Sequence, residues 1–391
     1  MAKKKNKKKG FFRFRIKPFF WLSLILLLTS QVLVSVYKYE EVPVNLRFAY
    51  DHVLRLRNTY LRYLPMDRYE AKDFVSQDSH NDMRIYFAPS ESILDGLLQF
   101  LDKADESIEL CVFELEHKKI VAKLIEKHEA GVKVRVLMDS NYLKNEELRD
   151  LEQAGVEVIG DERSALMHNK FVIIDKEYVW TGSMNFTYTG VGRNDNNALS
   201  LRSKELAENY SAEFEEMWDS NHHVIGFGIR SPKNTVHPRI SLANYDLITA
   251  FAPEDGVLKR LLREVSFAKK SIKVMAFALT SKDLAKALIA KMKAGVKVQI
   301  HLDDGAVTMN GSQYSYLKRA GLDINISQNR RGKMHHKLII VDDQTVVTGS
   351  YNFSKSAEKK NDENTLIIKS REVGQIYARE FSRCWRGVKG Y

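Results

Sequence analysis

Hydrophobic positions along this chain recur with two periods, one helical and one extended. Ile93–Leu101 and Lys118–Ala130 carry apolar residues at helical spacing, while Ile108–Phe113 and Val132–Met138 are short, strand-like runs rich in apolar and β-branched residues. A further helix, an apolar strand and a closing helix over Glu205–Trp218 complete the unit. The same succession then returns. Phe87-Ala88-Pro89 reappears as Phe251-Ala252-Pro253, Ser107-Ile108 as Ser271-Ile272, and Phe113 as Phe277. Ala130-Gly131-Val132-Lys133-Val134 reappears as Ala294-Gly295-Val296-Lys297-Val298. Repetition on this scale means two copies of one supersecondary unit, and strands alternating with helices predict α/β layers. The expected boundaries are 84–220 for the first repeat, 221–244 for a linker marked by Pro232, Pro238, Gly226 and Gly228, and 245–391 for the second.

The first 83 residues have a different pattern. Phe19–Tyr37 is an apolar run of 19 residues preceded by a Lys/Arg-rich tail over 1–18. At about 1.5 Å per residue it nearly spans a hydrocarbon core about 30 Å thick, and it exceeds the apolar core of a cleaved signal peptide. The expectation is an uncleaved signal anchor, with the N-terminus cytoplasmic and the rest outside the cytoplasm or in a lumen. Residues 38–83 read as a membrane-proximal stalk. Leu46, Tyr50, Val53, Leu54, Tyr60, Leu61 and Leu64 fall at helical spacing there, with arginines 47, 55, 57 and 62 between them.

Charge changes the picture once it is located. The chain has 391 residues and a net charge of +11, with 61 Lys/Arg against 50 Asp/Glu. Ten of the basic residues lie in 1–38, which has no acid, so the remainder is nearly neutral. Within it, 84–219 holds 16 basic and 27 acidic residues, and 246–389 holds 26 and 15. The second repeat is therefore the one suited to meet a polyanion. Cys111 and Cys384 form neither a disulfide framework nor a zinc spacing. His222, His223 and His237 have no carboxylate or cysteine clustered with them and read as surface residues.

The chemistry sits in a pattern that occurs twice. The second copy is His335-His336-Lys337, an apolar run to Val341, Asp342, then Gly349-Ser350-Tyr351-Asn352 and Asn361-Asp362-Glu363-Asn364. The first is His168-Asn169-Lys170, Asp175, then Gly182-Ser183-Met184-Asn185 and Asn194-Asp195-Asn196-Asn197. A histidine and a lysine two apart lie on one face of an extended chain, and with a Gly-Ser turn and an asparagine they form a cationic pocket for a phosphate.

These residues resemble the phospholipase D superfamily, whose signature H-x-K-x4-D followed by G-S-x-N is matched twice, with the likeness running from about Met83 to Trp385. The resemblance implies two αβα-sandwich repeats related by a pseudo-twofold axis. Both motifs would meet at one site in a single chain, with no cofactor and no metal required. It also implies a covalent phosphohistidine on the first motif. The motif tails look closest to bacterial endonucleases and mitochondrial cardiolipin hydrolases.

Phosphodiester cleavage needs a nucleophile, an acid for the leaving oxygen and fixed positive charge. The candidates are His168 and His335 for the first two roles. Lys170, Lys337, Asn185, Asn352, Ser183 and Ser350 are candidates for the phosphoryl oxygens. Asp175 and Asp342 stand at the far end of an apolar strand and read as structural. Glu363 is expected to orient His335, and Asn196 to stand in the same relation to His168. That pairing makes His335 the protonated acid and His168 the neutral nucleophile. The expected substrate is a nucleic-acid strand, with Arg330, Arg331, Lys333, Lys355, Lys359 and Lys360 beside the second motif as phosphate contacts. The alternative is a phospholipid, and transfer to an alcohol remains open beside hydrolysis.

Overall fold

A computed structural model of the chain describes residues 74–75, 83–222 and 235–387. The basic tail, the apolar run 19–37, nearly all of 38–83 and residues 223–234 of the expected linker lie outside the described residues. Among the described residues, no helix is long and apolar enough to cross a membrane.

Each repeat builds an eight-stranded sheet. The first has the order Phe74–Val75, Met83–Ala88, Asn196–Arg202, Tyr178–Gly182, Lys170–Ile174, Ser107–Val112, Lys133–Met138, Glu157–Gly160. The second has the same arrangement: Arg239–Ser241, Asp246–Ala252, Glu363–Lys369, Thr345–Gly349, Lys337–Val341, Ser271–Ala276, Lys297–Leu302, Asp323–Ile326. Parallel pairing is confined to the last three strands of each order. There, helices such as Lys118–Glu129 and Lys282–Lys293 make the crossovers. The motif strands pair antiparallel, because Asp175-Lys176-Glu177 joins Lys170–Ile174 to Tyr178–Gly182 and three residues can only make a hairpin.

Local chemistry sets the boundaries. Ser90, Ser281 and Ser370 each accept a backbone N–H at the start of a helix, supplying the acceptor those first turns lack. The motif strands are buried at every position, which suits Phe171-Val172-Ile173-Ile174 and Leu338-Ile339-Ile340-Val341. Parts of the expected linker 221–244 fall in regular elements. Lys204–His222 continues as helix past Trp218, and Arg239–Ser241 pairs with Asp246–Ala252 as an edge strand.

Three hydrophobic cores result. One belongs to each repeat, and a third is shared. The shared core joins Phe171 and Tyr210 of the first repeat to Phe251, Leu338 and Tyr377 of the second. Tyr210 meets Phe251 edge-on at 5.2 Å, and Phe87 meets Tyr377 at 5.3 Å. Two sheets welded by a common apolar layer hold their strand ends in fixed relation, and both histidines lie just ahead of those strands.

Candidate active site

Each motif histidine hangs on the opposite repeat. The His168 N–H donates to Asp362 O at 2.9 Å, and the His335 N–H to Asp195 O at 2.9 Å. These bonds carry the neighbouring side chains across. His168 Nδ1 lies 2.7 Å from Glu363 Oε2, and His335 Nδ1 lies 2.9 Å from Asn196 Oδ1. The expectation that Glu363 orients His335 and Asn196 orients His168 is therefore corrected: the partners are exchanged between repeats. Sequence position misleads here because the packing of the two repeats places each motif's tail beside the other motif's head. With Nδ1 engaged, each ring presents Nε2 as its remaining nitrogen.

Ser183 and Ser350 have another task than the expected phosphate contact. Ser183 Oγ donates to Asn196 Oδ1 at 2.9 Å, and Ser350 Oγ to Glu363 Oε2 at 2.7 Å. They brace the histidines' partners. The preceding glycines are required by space and by conformation: Gly182 (φ 156°) and Gly349 (φ 136°) approach the backbone so closely that a Cβ would meet Asn197 O or Asn364 O at 2.3 Å. Asn185 and Asn352 each have a buried side-chain oxygen with no partner among the described residues, so both amides have spare hydrogen-bonding capacity. Lys170 Nζ donates to His168 O at 2.6 Å and Lys337 Nζ to His335 O at 2.8 Å, which sets each ammonium beside its own histidine.

Burial dominates the electrostatics of the site. Burial drives both imidazoles well below their ordinary range, and the two ammoniums push the same way. Burial lowers Lys170 to about 7, partly opposed by Glu363, and also lowers Lys337 well below its ordinary value, with Lys170 adding to the effect. Burial lifts the Glu363 carboxyl to about 7 against the pull of Lys170. Glu363 is thus the carboxylate in hydrogen-bond contact with a motif histidine, while Glu114, Asp139 and Asp303 act on the lysines electrostatically. An anion entering the site favours every protonated form in it.

Asp175 and Asp342 are structural, as expected, but they tie a different turn. Each accepts three backbone N–H groups ahead of a neighbouring strand, from residues 105–107 and 269–271 respectively. Cys111 and Cys384 are free and buried. His237 pairs with Glu208 at 2.6 Å on the surface.

Sequence reasoning missed the supports. Asn197 Nδ2 lies 2.9 Å from His336 Nδ1, and Thr348 donates to Asn197 Oδ1 at 2.6 Å. Asn364 Nδ2 donates to Asn169 Oδ1 at 2.9 Å, and Thr181 donates to Asn364 Oδ1 at 2.7 Å. Arg383 binds Asp195 at 2.8 Å and Glu380 at 2.7 Å, buttressing the residue whose carbonyl holds the His335 N–H; Arg163 holds Asp362 on the other side. His336, Glu380 and Cys384 are close enough to one another to hold an ion, but Arg383 Nη2 already lies 2.7 Å from Glu380 and 3.1 Å from Cys384. Positions 167 apart were the available signal: Arg383 corresponds to Glu216, so the buttress cannot be the same residue in both repeats.

Residues 97–218 and 261–385 match the family described as "Cardiolipin synthase, PLD-like domain". The chain belongs to this phospholipase D-like family. Over 131 residues it is 37% identical to mouse (Mus musculus) mitochondrial cardiolipin hydrolase, covering 34% of this chain and 59% of that one. Over 129 residues it is 36% identical to the phospholipase D of Rickettsia felis, covering 33% and 64%. The matches thus span less than two thirds of these relatives' own lengths. Phosphatidylserine synthase of Haemophilus influenzae shares the fold across 85% of this chain and 90% of its own, with a TM-score of 0.60 at 12% identity. The likeness thus extends over both matched segments of the chain.

Proposed function

We propose that this chain is a phosphodiesterase that works through a phosphohistidine, with a nucleic-acid strand as substrate. The observation that carries the chemistry is the pair of His-Lys units with exchanged partners, one imidazole backed by a carboxylate and the other by an amide. His168 is the nucleophile. Attack by its Nε2 on phosphorus makes the ring a cationic phosphoimidazolium, and the Glu363 carboxylate at Nδ1 stabilises that charge. His335 is the acid: a neutral amide at Nδ1 holds its orientation without trapping its proton, so Nε2–H can pass to the leaving oxygen. The same ring then takes a proton from the water that attacks the phosphohistidine. Lys170, Lys337, Asn185 and Asn352 hold the phosphoryl oxygens, supplying the charge that would otherwise fall to a metal.

The substrate reading rests on the rim of the second repeat. Arg330, Lys355, Lys359 and Lys360 are exposed there, whereas the first repeat has Tyr188 and Gly192 where Lys355 and Lys359 stand. Lys333 is withdrawn from this set by ion pairs with Asp303 and Asp304. The relatives' names support a second reading, hydrolysis of cardiolipin or another phospholipid by a site held at a membrane through residues 19–37. The test is the full chain in detergent with EDTA, offered single-stranded DNA, duplex DNA, RNA and cardiolipin vesicles in parallel. Cleavage of a strand, weakened by Lys355→Glu and Lys359→Glu, is expected. Hydrolysis of cardiolipin alone, indifferent to those substitutions, overturns the substrate assignment.

A further inference from the structure

Two phenylalanines repeat with the catalytic motifs and have no role in the account so far. Phe113 and Phe277 each follow directly on a central strand, Ser107–Val112 or Ser271–Ala276. Each is pinned by its own N–H to the residue between the motif histidine and lysine: Phe113 to Asn169 O at 2.9 Å, Phe277 to His336 O at 3.1 Å. The Phe113 ring meets His168 edge-on at 5.0 Å, and Phe277 meets His335 at 4.9 Å. Lys170 Nζ stands over the Phe113 ring at 5.0 Å, and Lys337 Nζ over Phe277 at 5.1 Å. The same four-part geometry thus occurs twice, on both sides of one centre.

An ammonium has three donors. For each motif lysine, one goes to the histidine carbonyl, and an aromatic face is the next surface offered. The π face attracts a cation, most strongly where water is excluded. We propose that Phe113 and Phe277 are positioning residues of the phosphate site. Each ring face keeps its lysine protonated and fixed beside the phosphorus, and each ring rim sets the tilt of the adjacent imidazole. This rests on the phosphate-site reading above. The need is greatest because these cations are buried together. Lys170 is faced by Glu363, Glu114, Asp139, Cys111 and Lys337, and Lys337 by Lys170, Glu363 and Asp303, each with its own motif histidine alongside. Burial still disfavours both ammoniums despite these carboxylates, and the rings supply further attraction without adding a charge.

The test uses the full chain with Phe113→Leu, Phe277→Leu, Phe113→Tyr and Phe277→Tyr, each checked for an unchanged circular dichroism spectrum. Two readouts are taken: the pH profile of bis(p-nitrophenyl) phosphate hydrolysis, and lysine titration by NMR with 13C at Cε. A ring face favours the charged lysine, so its loss lowers the lysine pKa, and the alkaline limb of kcat/KM falls with it. In the leucine variants both midpoints are expected to move down by roughly half to one and a half pH units. The tyrosine variants, which retain the face, should match the parent. Lysine midpoints unmoved in the leucine variants, or tyrosine variants as impaired as leucine, overturn the proposal. If the parent does not hydrolyse the diester, the functional reading fails, while the NMR titration still decides this one.

Discussion

Glu363 Oε2 lies 2.7 Å from His168 Nδ1 although 195 residues separate them, and the same oxygen accepts from Ser350 Oγ. The first repeat's histidine is therefore oriented by the second repeat's carboxylate. Glu363→Gln keeps the shape and removes the charge. It should lower kcat by roughly 10²–10⁴, the range for a group that stabilises an imidazolium. Steady-state kinetics check it.

The same substitution should raise stability in one pH range. Glu363 titrates near 7 in the fold, above its ordinary value of 4.5. A raised carboxyl contributes stability below about 4.5 that is lost as pH rises through about 7. Glu363→Gln should then melt higher than the parent at pH 8 and nearly with it at pH 4.5. Thermal melts at both pH values measure this; an equal Tm at pH 8 contradicts it.

Lys170 offers a parallel trade. Burial lowers it to about 7, so its charged form strains the fold at and below neutral pH and the strain fades as pH rises toward its ordinary 10.5. Lys170→Met removes one of two adjacent buried cations and leaves Lys337 facing Glu363. At pH 6 it should stabilise by about 1–4 kcal/mol while abolishing turnover. Denaturant unfolding at pH 6 and pH 9 should show the gain shrinking at the higher pH.

Arg383 behaves in the opposite sense. It holds Glu380 down to about 2, a contribution fully present above about 4.5 and lost as pH falls toward 2. Arg383→Met leaves Glu380 and Asp195 without their shared cation and should cost about 3–5 kcal/mol at pH 7. Because the Asp195 carbonyl accepts the His335 N–H, kcat should fall in the folded fraction as well. Acid titration of the parent, followed by circular dichroism, should show unfolding that the variant reaches at higher pH.

The repeat made much of this legible. Spacings of 164 and 167 placed both motif strands and both lysines, and the apolar run before Asp342 made its burial readable. Two features were not legible. The exchange of Glu363 and Asn196 depends on how two sheets pack, and a linear sequence assigns neighbours by adjacency. The serines were read as phosphate contacts because their type suits that work, yet Ser350 Oγ is committed to Glu363 by a turn whose tightness Gly349 alone permits. The sequence-based reason for His168 as nucleophile is overturned, since His168 has the carboxylate; the proposal keeps His168 because that carboxylate would stabilise the phosphorylated ring.

In the proposed mechanism one site, built from both repeats, phosphorylates His168. The direct measurement is peptide mapping of the adduct trapped by acid quench from the His335→Ala and His168→Ala variants. The substrate is a diester with a good leaving group, so that no acid is needed. His335→Ala should accumulate phosphate on His168 and stall, and His168→Ala should show none. Phosphate on His335 in the His168→Ala variant, with His168 unmodified in the other, would contradict the account.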